Sequence, residues 1–108
     1  MKNIKVRTNI NIKTAMKTLD KTAEKCLLVV NNNDKLLGTL TDGDIRRAIL
    51  SGMDFSTTID NIYQKKFIVI KSNEFTKENA IKLLKDKKIE LIPIVDDENK
   101  LVNFVNWN

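Results

Sequence analysis

The sequence predicts an α+β fold made of two copies of one β-α-β-β-α unit. The main observation is an internal repeat: a shift of 65 residues aligns the two halves without a gap, placing Ala15 on Ala80 and Val30 on Val95. The second is that helical and strand-like patterns follow each other in the same order in both halves. We assign the first unit to residues 1–52 and the second to residues 67–108.

The elements of the first unit follow from its apolar spacing. A short amphipathic helix is indicated by Ile12, Ala15, Met16, Leu19 and Ala23. The run "CLLVV" is typical of a buried strand, and the polar "NNNDK" predicts a turn into the second strand of a hairpin, "LLGTLT". A further helix is indicated by Ile45, Ala48 and Ile49, with Gly52 placed to cap its C-terminal end.

The second unit repeats this order up to its hairpin. "FIVI" predicts the leading strand, and the helix that follows is indicated by Ala80, Ile81, Leu83 and Leu84. "LIPIV" and "LVNFV" predict the hairpin, in which Pro93, lacking an N–H, favours an edge or strand-start position for "LIPIV". The chain stops at "NWN", where the matching last helix would begin. We therefore expect that helix to be missing and the chain to be cut from a longer polypeptide.

Residues 53–66 form the predicted linker between the units. This segment contains Ser, Thr and Asp, and we expect one short helix around Ile59 to Tyr63.

The composition argues against an enzyme and against a metal protein. The chain has no His, and its single Cys excludes an internal disulfide and a multi-thiolate zinc site. Cys26 lies in an apolar run, where a thiol behaves as a small hydrophobic group. No nucleophile–base pair can be assembled, so we expect no catalytic residue, no metal ligand and no cofactor.

The positive net charge raises the question of whether the chain binds nucleic acid. The net charge of +5 suits a polyanion. However, acids are interleaved with the lysines in "TKENAIKLLKDKKIE", and the few aromatic residues are scattered, so no base-stacking surface is indicated. No apolar run approaches the ~20 residues that span a bilayer, and the N-terminus does not resemble a signal peptide. We expect a cytoplasmic domain that binds neither membrane nor nucleic acid.

Two motifs inside the repeat resemble those of tandem CBS (cystathionine-β-synthase) domains. The hairpins "LLVVNNNDKLLG" and "IPIVDDENKLVN" are similar to the family's apolar-P-V-V-D…G-x-L-x-G pattern. Gly38, Thr41 and Asp44 match the family's G-h-h-T-x-x-D spacing. The resemblance implies two CBS repeats packed with pseudo-two-fold symmetry, a Bateman module.

The resemblance also implies an adenosine-containing regulatory ligand, such as AMP, ADP, ATP or S-adenosylmethionine, in a cleft between the repeats. Asp44 would then accept hydrogen bonds from the ribose hydroxyls, and Thr41 would contact ribose or phosphate. The base would lie against Glu90 and Leu91, with Thr39 opposite. Because the second repeat lacks the matching Asp, the two clefts are expected to be unequal.

The same stretch has a purely structural interpretation. Thr41 or Asp42 is a suitable helix cap, and we expect Asp42 to act mainly in that way. The chemistry of a ligand site is nevertheless sound, because an ionised carboxylate is an acceptor suited to vicinal hydroxyl donors. Arg47, or Arg46, is placed one turn into the helix to neutralise a phosphate. Glycines at 38 and 43 would let a ligand approach the backbone.

The segment "TDGDIRRAI" is similar to the corresponding segment of CBS pairs that are fused to sugar-nucleotide transferases and to sugar-phosphate isomerases. This resemblance implies a regulatory region followed by a C-terminal nucleotidyltransferase domain, and a homodimer formed through the helices. The alternative is a ligand-free structural module that dimerises such an enzyme.

Overall fold

The computed structural model describes residues 3–107, which form two three-stranded sheets with helices packed on them. The first half contains β1 (Lys5–Val6), α1 (Ile12–Thr22), β2 (Cys26–Val30), β3 (Leu36–Thr41) and α2 (Asp42–Leu50). The second half contains β4 (Ile70–Lys71), α3 (Lys77–Lys87), β5 (Leu91–Val95) and β6 (Leu101–Asn106). A short 3-10 turn at Ile59–Asn61 lies in the segment between them, as the linker pattern predicted.

The two halves correspond element by element. Each strand and α-helix of the second half has the length of its counterpart and starts 65 residues after it, so that β1 and α1 match β4 and α3. Each sheet has its middle strand paired in parallel with the two-residue strand and antiparallel with the third strand. The predicted α+β fold of two repeats is confirmed. Within residues 3–107, no helix follows β6 as α2 follows β3.

The two hairpin turns are built by equivalent side chains. Asn31 Oδ1 accepts hydrogen bonds from the backbone N–H of Asn33 at 2.9 Å and of Lys35 at 3.0 Å. The carboxylate of Asp96 receives the equivalent pair at 2.9 Å each in the second repeat. Short polar side chains that bond to the backbone two residues on favour such turns, which explains why "NNND" and "DDEN" occupy matching positions.

Backbone hydrogen bonds join the hairpins of the two repeats in a symmetric pair. The Leu36 N–H donates to the Asn99 carbonyl at 3.0 Å, and the Leu101 N–H donates to the Asp34 carbonyl at 3.0 Å. Lys35 and Lys100 form the bridge between them. Because the two bonds exchange equivalent residues, the repeats are related by a pseudo-two-fold axis that passes close to this bridge.

One apolar core extends across both repeats. Most of its buried members come from the first repeat, but Leu91, Val95 and Leu101 of the second repeat belong to it. A smaller cluster under α3 is formed by Ile70, Ala80, Leu84 and Ile92. Burial of apolar surface stabilises a fold by roughly 25 cal/mol per Å², so the shared core stabilises the packing of one repeat on the other.

Two helix predictions need correction. Met16 and Ile81, which occupy matching positions, are 40% and 46% exposed and do not belong to the core face. The helices bury one narrower stripe each, formed in α1 by Ile12, Ala15 and Leu19. Ala23 is not helical, since it has a left-handed conformation with φ of 58° immediately after α1.

The predictions for the strands of the second repeat also differ from the structure. Only Ile70 of "FIVI" lies in β4, which has two residues. Pro93 lies in the middle of β5, the central strand of its sheet, so its predicted edge or start position is wrong. At the matching position the Leu28 N–H donates to the Ile4 carbonyl at 2.9 Å. Proline has no such donor, but it is tolerated because β4 pairs only with Ile94 and Val95.

The helices of residues 3–107 are all too short and too polar for a membrane span.

Candidate functional site

A cleft of about 380 Å³ is lined by residues of both repeats. Its apolar lining is formed by Cys26, Phe67, Ile68, Ile89 and Leu91. Its polar lining is formed by Thr39, Thr41, Gln64, Lys66, Lys88 and Glu90. The volume falls in the range of small-molecule sites, roughly 300–1,000 Å³, and such sites combine an apolar wall with a few polar groups. Four of the predicted site residues, Thr39, Thr41, Glu90 and Leu91, are therefore brought together.

A smaller cleft of about 130 Å³ lies at the position related by the pseudo-two-fold axis. It shares Cys26 and Leu91 with the larger cleft, and Asn106 stands where Thr41 stands in the first repeat. The Asn106 side-chain amide donates to both carboxylate oxygens of the buried Glu24, at 2.9 and 3.0 Å. The two clefts thus differ in volume and in the polar groups around them.

Thr41 and Asp44 form a reciprocal cap at the start of α2. The Asp44 N–H donates to the Thr41 hydroxyl at 3.1 Å, and the Thr41 N–H donates to Asp44 Oδ2 at 2.9 Å. This capping box satisfies two backbone donors that a helix start otherwise leaves free. Both residues of the T-x-x-D motif are therefore part of the helix start, whatever else they bind.

The expected capping role of Asp42 is wrong. Thr41 is the N-cap residue, and Asp42 is the first residue of α2. The Asp42 side chain is 68% exposed and forms an ion pair with Arg46 at 3.4 Å. The Thr41 hydroxyl, one position earlier, accepts from the Asp44 N–H and so takes the capping role.

The second oxygen of the Asp44 carboxylate is also engaged. Arg47 Nη2 donates to Asp44 Oδ1 at 2.8 Å, and Gln64 Nε2 donates to the same oxygen at 3.1 Å. The Asp44 side chain is only 3% exposed, while that of Arg47 is 66% exposed. Asp44 and Arg47 therefore do not line the cleft directly, and they adjoin it through Thr41 and Gln64.

The linker residue Gln64 was not predicted as part of the site. Its backbone pairs with Thr39 through two hydrogen bonds, Gln64 N–H to the Thr39 carbonyl at 2.8 Å and Thr39 N–H to the Gln64 carbonyl at 3.0 Å. No sequence pattern indicates this role, because a polar residue in a linker is ordinarily solvated and the strand that Gln64 joins lies 25 positions earlier.

Gly38 allows the linker to pack closely against β3. The expectation that this glycine makes room for a ligand is therefore wrong. A Cβ atom at Gly38 would lie 2.1 Å from the Gln64 carbonyl oxygen and 2.6 Å from Tyr63 Cδ2. At Gly43 a Cβ atom would first meet the Arg47 guanidinium, at 3.1 Å. The space beside Gly38 is thus filled by Tyr63 and Gln64.

Cys26 lies on the walls of both clefts as a neutral thiol. Burial, followed by the nearby negative charge of Asp44, raises the pKa of Cys26 to about 12. A thiol that does not ionise near neutral pH is a poor nucleophile. Its contribution to the cleft is that of a small apolar group.

Taken with the fold, these clefts define an internally repeated α+β module with a ligand-sized cleft between its repeats. The chain belongs to the CBS domain family, whose family model matches residues 1–51 and 59–107. The prediction of a tandem CBS pair is confirmed.

Similar proteins of known sequence include two longer enzymes. Inosine-5'-monophosphate dehydrogenase of Bacillus subtilis is 38% identical over 79 residues, which are 71% of this chain and 15% of the relative. Arabinose 5-phosphate isomerase of Pseudomonas aeruginosa is 32% identical over 82 residues, 75% of this chain and 25% of the relative. The chain thus spans a quarter or less of these relatives.

A solved structure matches over nearly the whole chain. The CBS domain pair of protein MJ0100, in complex with 5'-methylthioadenosine and S-adenosyl-L-methionine, has a TM-score of 0.78 and 30% identity to this chain. The match covers 94% of this chain and 82% of that one.

Proposed function

We propose that this CBS pair is a regulatory module that binds an adenosine-containing ligand in its larger cleft and thereby modulates a catalytic domain of the same polypeptide. The observation that carries the proposal is the cleft itself, with an apolar wall for a flat base and hydroxyl and charged groups around it. It is supported by the similarity to the MJ0100 domain pair, whose ligands both contain adenosine.

The contacts of the proposed complex follow from the lining. The base would lie against Leu91 and the backbone of Glu90, with Thr39 opposite, because these residues line the cleft. The Thr41 hydroxyl and the Asp44 carboxylate would bind the ribose, since a carboxylate accepts from two vicinal hydroxyls. The exposed Arg47 is near enough to Asp44 to approach a phosphate attached to that ribose.

The identity of the regulated enzyme is a separate part of the proposal. In the relatives named above the matching region is a quarter or less of a longer enzyme, which supports a regulatory segment beside a catalytic domain. We propose a nucleotidyltransferase acting on sugar nucleotides, on the resemblance of "TDGDIRRAI" to the CBS pairs of such proteins. The cytoplasmic location expected from the sequence stays a prediction.

A second function is favoured by one observation. The Asp44 carboxylate is already satisfied by Thr41, Arg47 and Gln64. A motif that is complete without a ligand suits a structural module whose task is to dimerise an enzyme. In this alternative, the cleft would bind no nucleotide, and T-x-x-D would be a helix cap only.

Calorimetric titration separates the two functions. The folded chain is titrated with AMP, ADP, ATP, S-adenosylmethionine and 5'-methylthioadenosine, with GMP and GTP as controls for the base. The regulatory proposal predicts saturable binding of at least one adenosine compound and much weaker binding of the guanine nucleotides. Absence of heat with every compound, for a chain shown by circular dichroism to be folded, would favour the structural module.

A further inference from the structure

The segment between the repeats closes the side of the cleft next to Asp44. Two backbone hydrogen bonds hold Gln64 to Thr39, at 2.8 and 3.0 Å, and its side-chain amide donates to Asp44 Oδ1 at 3.1 Å. Gln64 also lines the cleft, whereas Asp44 does not. Of the cleft-lining groups that contact the carboxylate, Thr41 does so through its backbone N–H and Gln64 through its side-chain amide.

The linker residues Tyr63 and Gln64 pack against Gly38 of the first repeat. Gly38 has no side chain where the Gln64 carbonyl and the Tyr63 ring pack, and any Cβ there would lie 2.1 and 2.6 Å from them. Distances that short are not tolerated between unbonded atoms. The close approach is thus a property of the glycine, and it places the Gln64 side chain over Asp44.

The three donors on the Asp44 carboxylate are not equivalent. The Thr41 N–H is fixed by the capping box, and Arg47 contributes a charge-assisted bond at 2.8 Å. Gln64 contributes a neutral amide at 3.1 Å on an otherwise exposed residue. The bond from Arg47 joins two charged groups, whereas the bond from Gln64 comes from a neutral donor and is longer, so Gln64 is the donor that a ligand most readily replaces.

We propose that the Gln64 side chain is an internal competitor of the ligand, which occupies Asp44 in place of a ligand hydroxyl and so sets the affinity and the sugar selectivity of the cleft. The inference rests on the proposed function, because it assumes that the cleft binds a ribose. A ligand with a free 2'-hydroxyl must displace the amide to reach Asp44. A 2'-deoxy ligand makes less use of Asp44 and gains less from the displacement.

The test compares ribose and 2'-deoxyribose forms of one nucleotide, ATP and dATP, in calorimetric titrations of four proteins. These are the wild type, Gln64→Ala, Gln64→Asn, which shortens the side chain by one methylene group and so draws the amide back from Asp44, and Asn61→Ala. Asn61 is an exposed amide residue of the same segment, so its loss controls for altering the linker. Circular dichroism establishes that each variant is folded.

The proposal predicts that both Gln64 variants bind ATP more tightly than the wild type by roughly tenfold or more, the worth of one hydrogen bond to a charged carboxylate. The preference for ATP over dATP should increase by a similar factor, while Asn61→Ala keeps the wild-type values. The proposal would also be supported if the Gln64 variants bound ATP and the wild type did not.

Two results would overturn the inference. The first leaves the proposed function intact, and the second overturns the proposed function as well. If the wild type and the Gln64 variants bind ATP equally, with the same preference over dATP, Gln64 is no competitor but the proposed function stands. If neither the wild type nor any variant binds ATP, dATP or the other adenosine compounds, both the inference and the proposed function fail.

Discussion

Thr41 and Asp44 bind each other's backbone at the start of α2. The Thr41 N–H donates to the Asp44 carboxylate at 2.9 Å, and the Thr41 hydroxyl accepts from the Asp44 N–H at 3.1 Å. The two residues of the family motif that are expected to hold a ligand are therefore the two that start the helix. The proposed ligand binding would therefore be coupled to helix stability through the same atoms.

The capping box predicts a difference between two neighbouring substitutions. Thr41→Ala removes the hydroxyl that accepts from Asp44 and should lower the free energy of unfolding by about 1 kcal/mol. Asp42→Ala removes an exposed side chain with a surface ion pair and should cost about 0.5 kcal/mol or less. Chemical denaturation of both variants checks this. An equal loss in both would mean that Asp42 contributes to the cap after all.

Gly38 and Gly43 offer a second matched pair. Gly38→Ala should destabilise the fold by about 1–3 kcal/mol, because the new Cβ would overlap the Gln64 backbone at 2.1 Å. In Gly43→Ala the new Cβ meets the movable ends of the Arg47 and Arg46 side chains, at 3.1 and 3.5 Å. Within a helix, alanine is favoured over glycine, so this variant should be neutral or slightly stabilised. Thermal melts compare the two, and a Gly38→Ala variant as stable as the wild type would contradict the packing of the linker.

We predict that the folded chain loses stability at alkaline pH because of the Cys26 thiol. Its pKa is raised from 9.0 to about 12 in the folded chain, first by burial and then by Asp44. Above pH 9 the unfolded chain therefore releases this proton while the folded chain keeps it, so the unfolded state is favoured as pH rises. The contribution of the Cys26 thiol to the free energy of unfolding is complete below pH 9. It falls by about 1.4 kcal/mol per pH unit as the pH rises from 9 towards 12.

The measurement is the free energy of unfolding between pH 8 and 11 for the wild type and Cys26→Ala. All other ionisable groups are common to the two proteins, so the difference between the two curves isolates the thiol. The wild type should lose its advantage as pH rises. Parallel curves would show that the thiol is not shielded from water.

Apolar groups on the outer face of the second repeat predict self-association. Phe75, Ile81 and Trp107 are 39%, 46% and 54% exposed and line one groove with Phe104. Contiguous apolar surface commonly marks an interface between proteins, and two-fold dimers are the commonest assemblies. We predict a homodimer in light scattering, and Ile81→Lys should shift it towards monomer. A wild-type monomer at high micromolar concentration would contradict the prediction.

The sequence was informative wherever a feature depends on local periodicity or on the repeat. The hairpins, the helices and Gly52, which has φ of 100° after α2, follow from turn chemistry and apolar spacing. The placement of Thr39, Thr41, Glu90 and Leu91 around one cleft was expected from the resemblance to tandem CBS domains, in which the cleft lies between the repeats.

Several of the errors concern contacts between distant segments. The depth of Met16 depends on what packs beside α1, and the tolerance of Pro93 depends on the length of β4. The contact of Gln64 with Asp44 spans 20 residues and joins the linker to the first repeat, so no periodic pattern encodes it. The choice of Thr41 over Asp42 as the cap depends on backbone angles at one residue, with φ of −98° and ψ of 162° at Thr41.

The most direct test is a nucleotide titration of the wild type, Asp44→Ala and Asp42→Ala, each shown to be folded. We predict one adenosine ligand per chain for the wild type, because the smaller cleft has Asn106 where the larger one has Thr41. Asp44→Ala should lose stability through its capping role and also bind at least tenfold more weakly, whereas Asp42→Ala should bind like the wild type. If Asp44→Ala lowers the melting temperature and leaves the affinity unchanged, T-x-x-D is a helix cap and the regulatory site is not here.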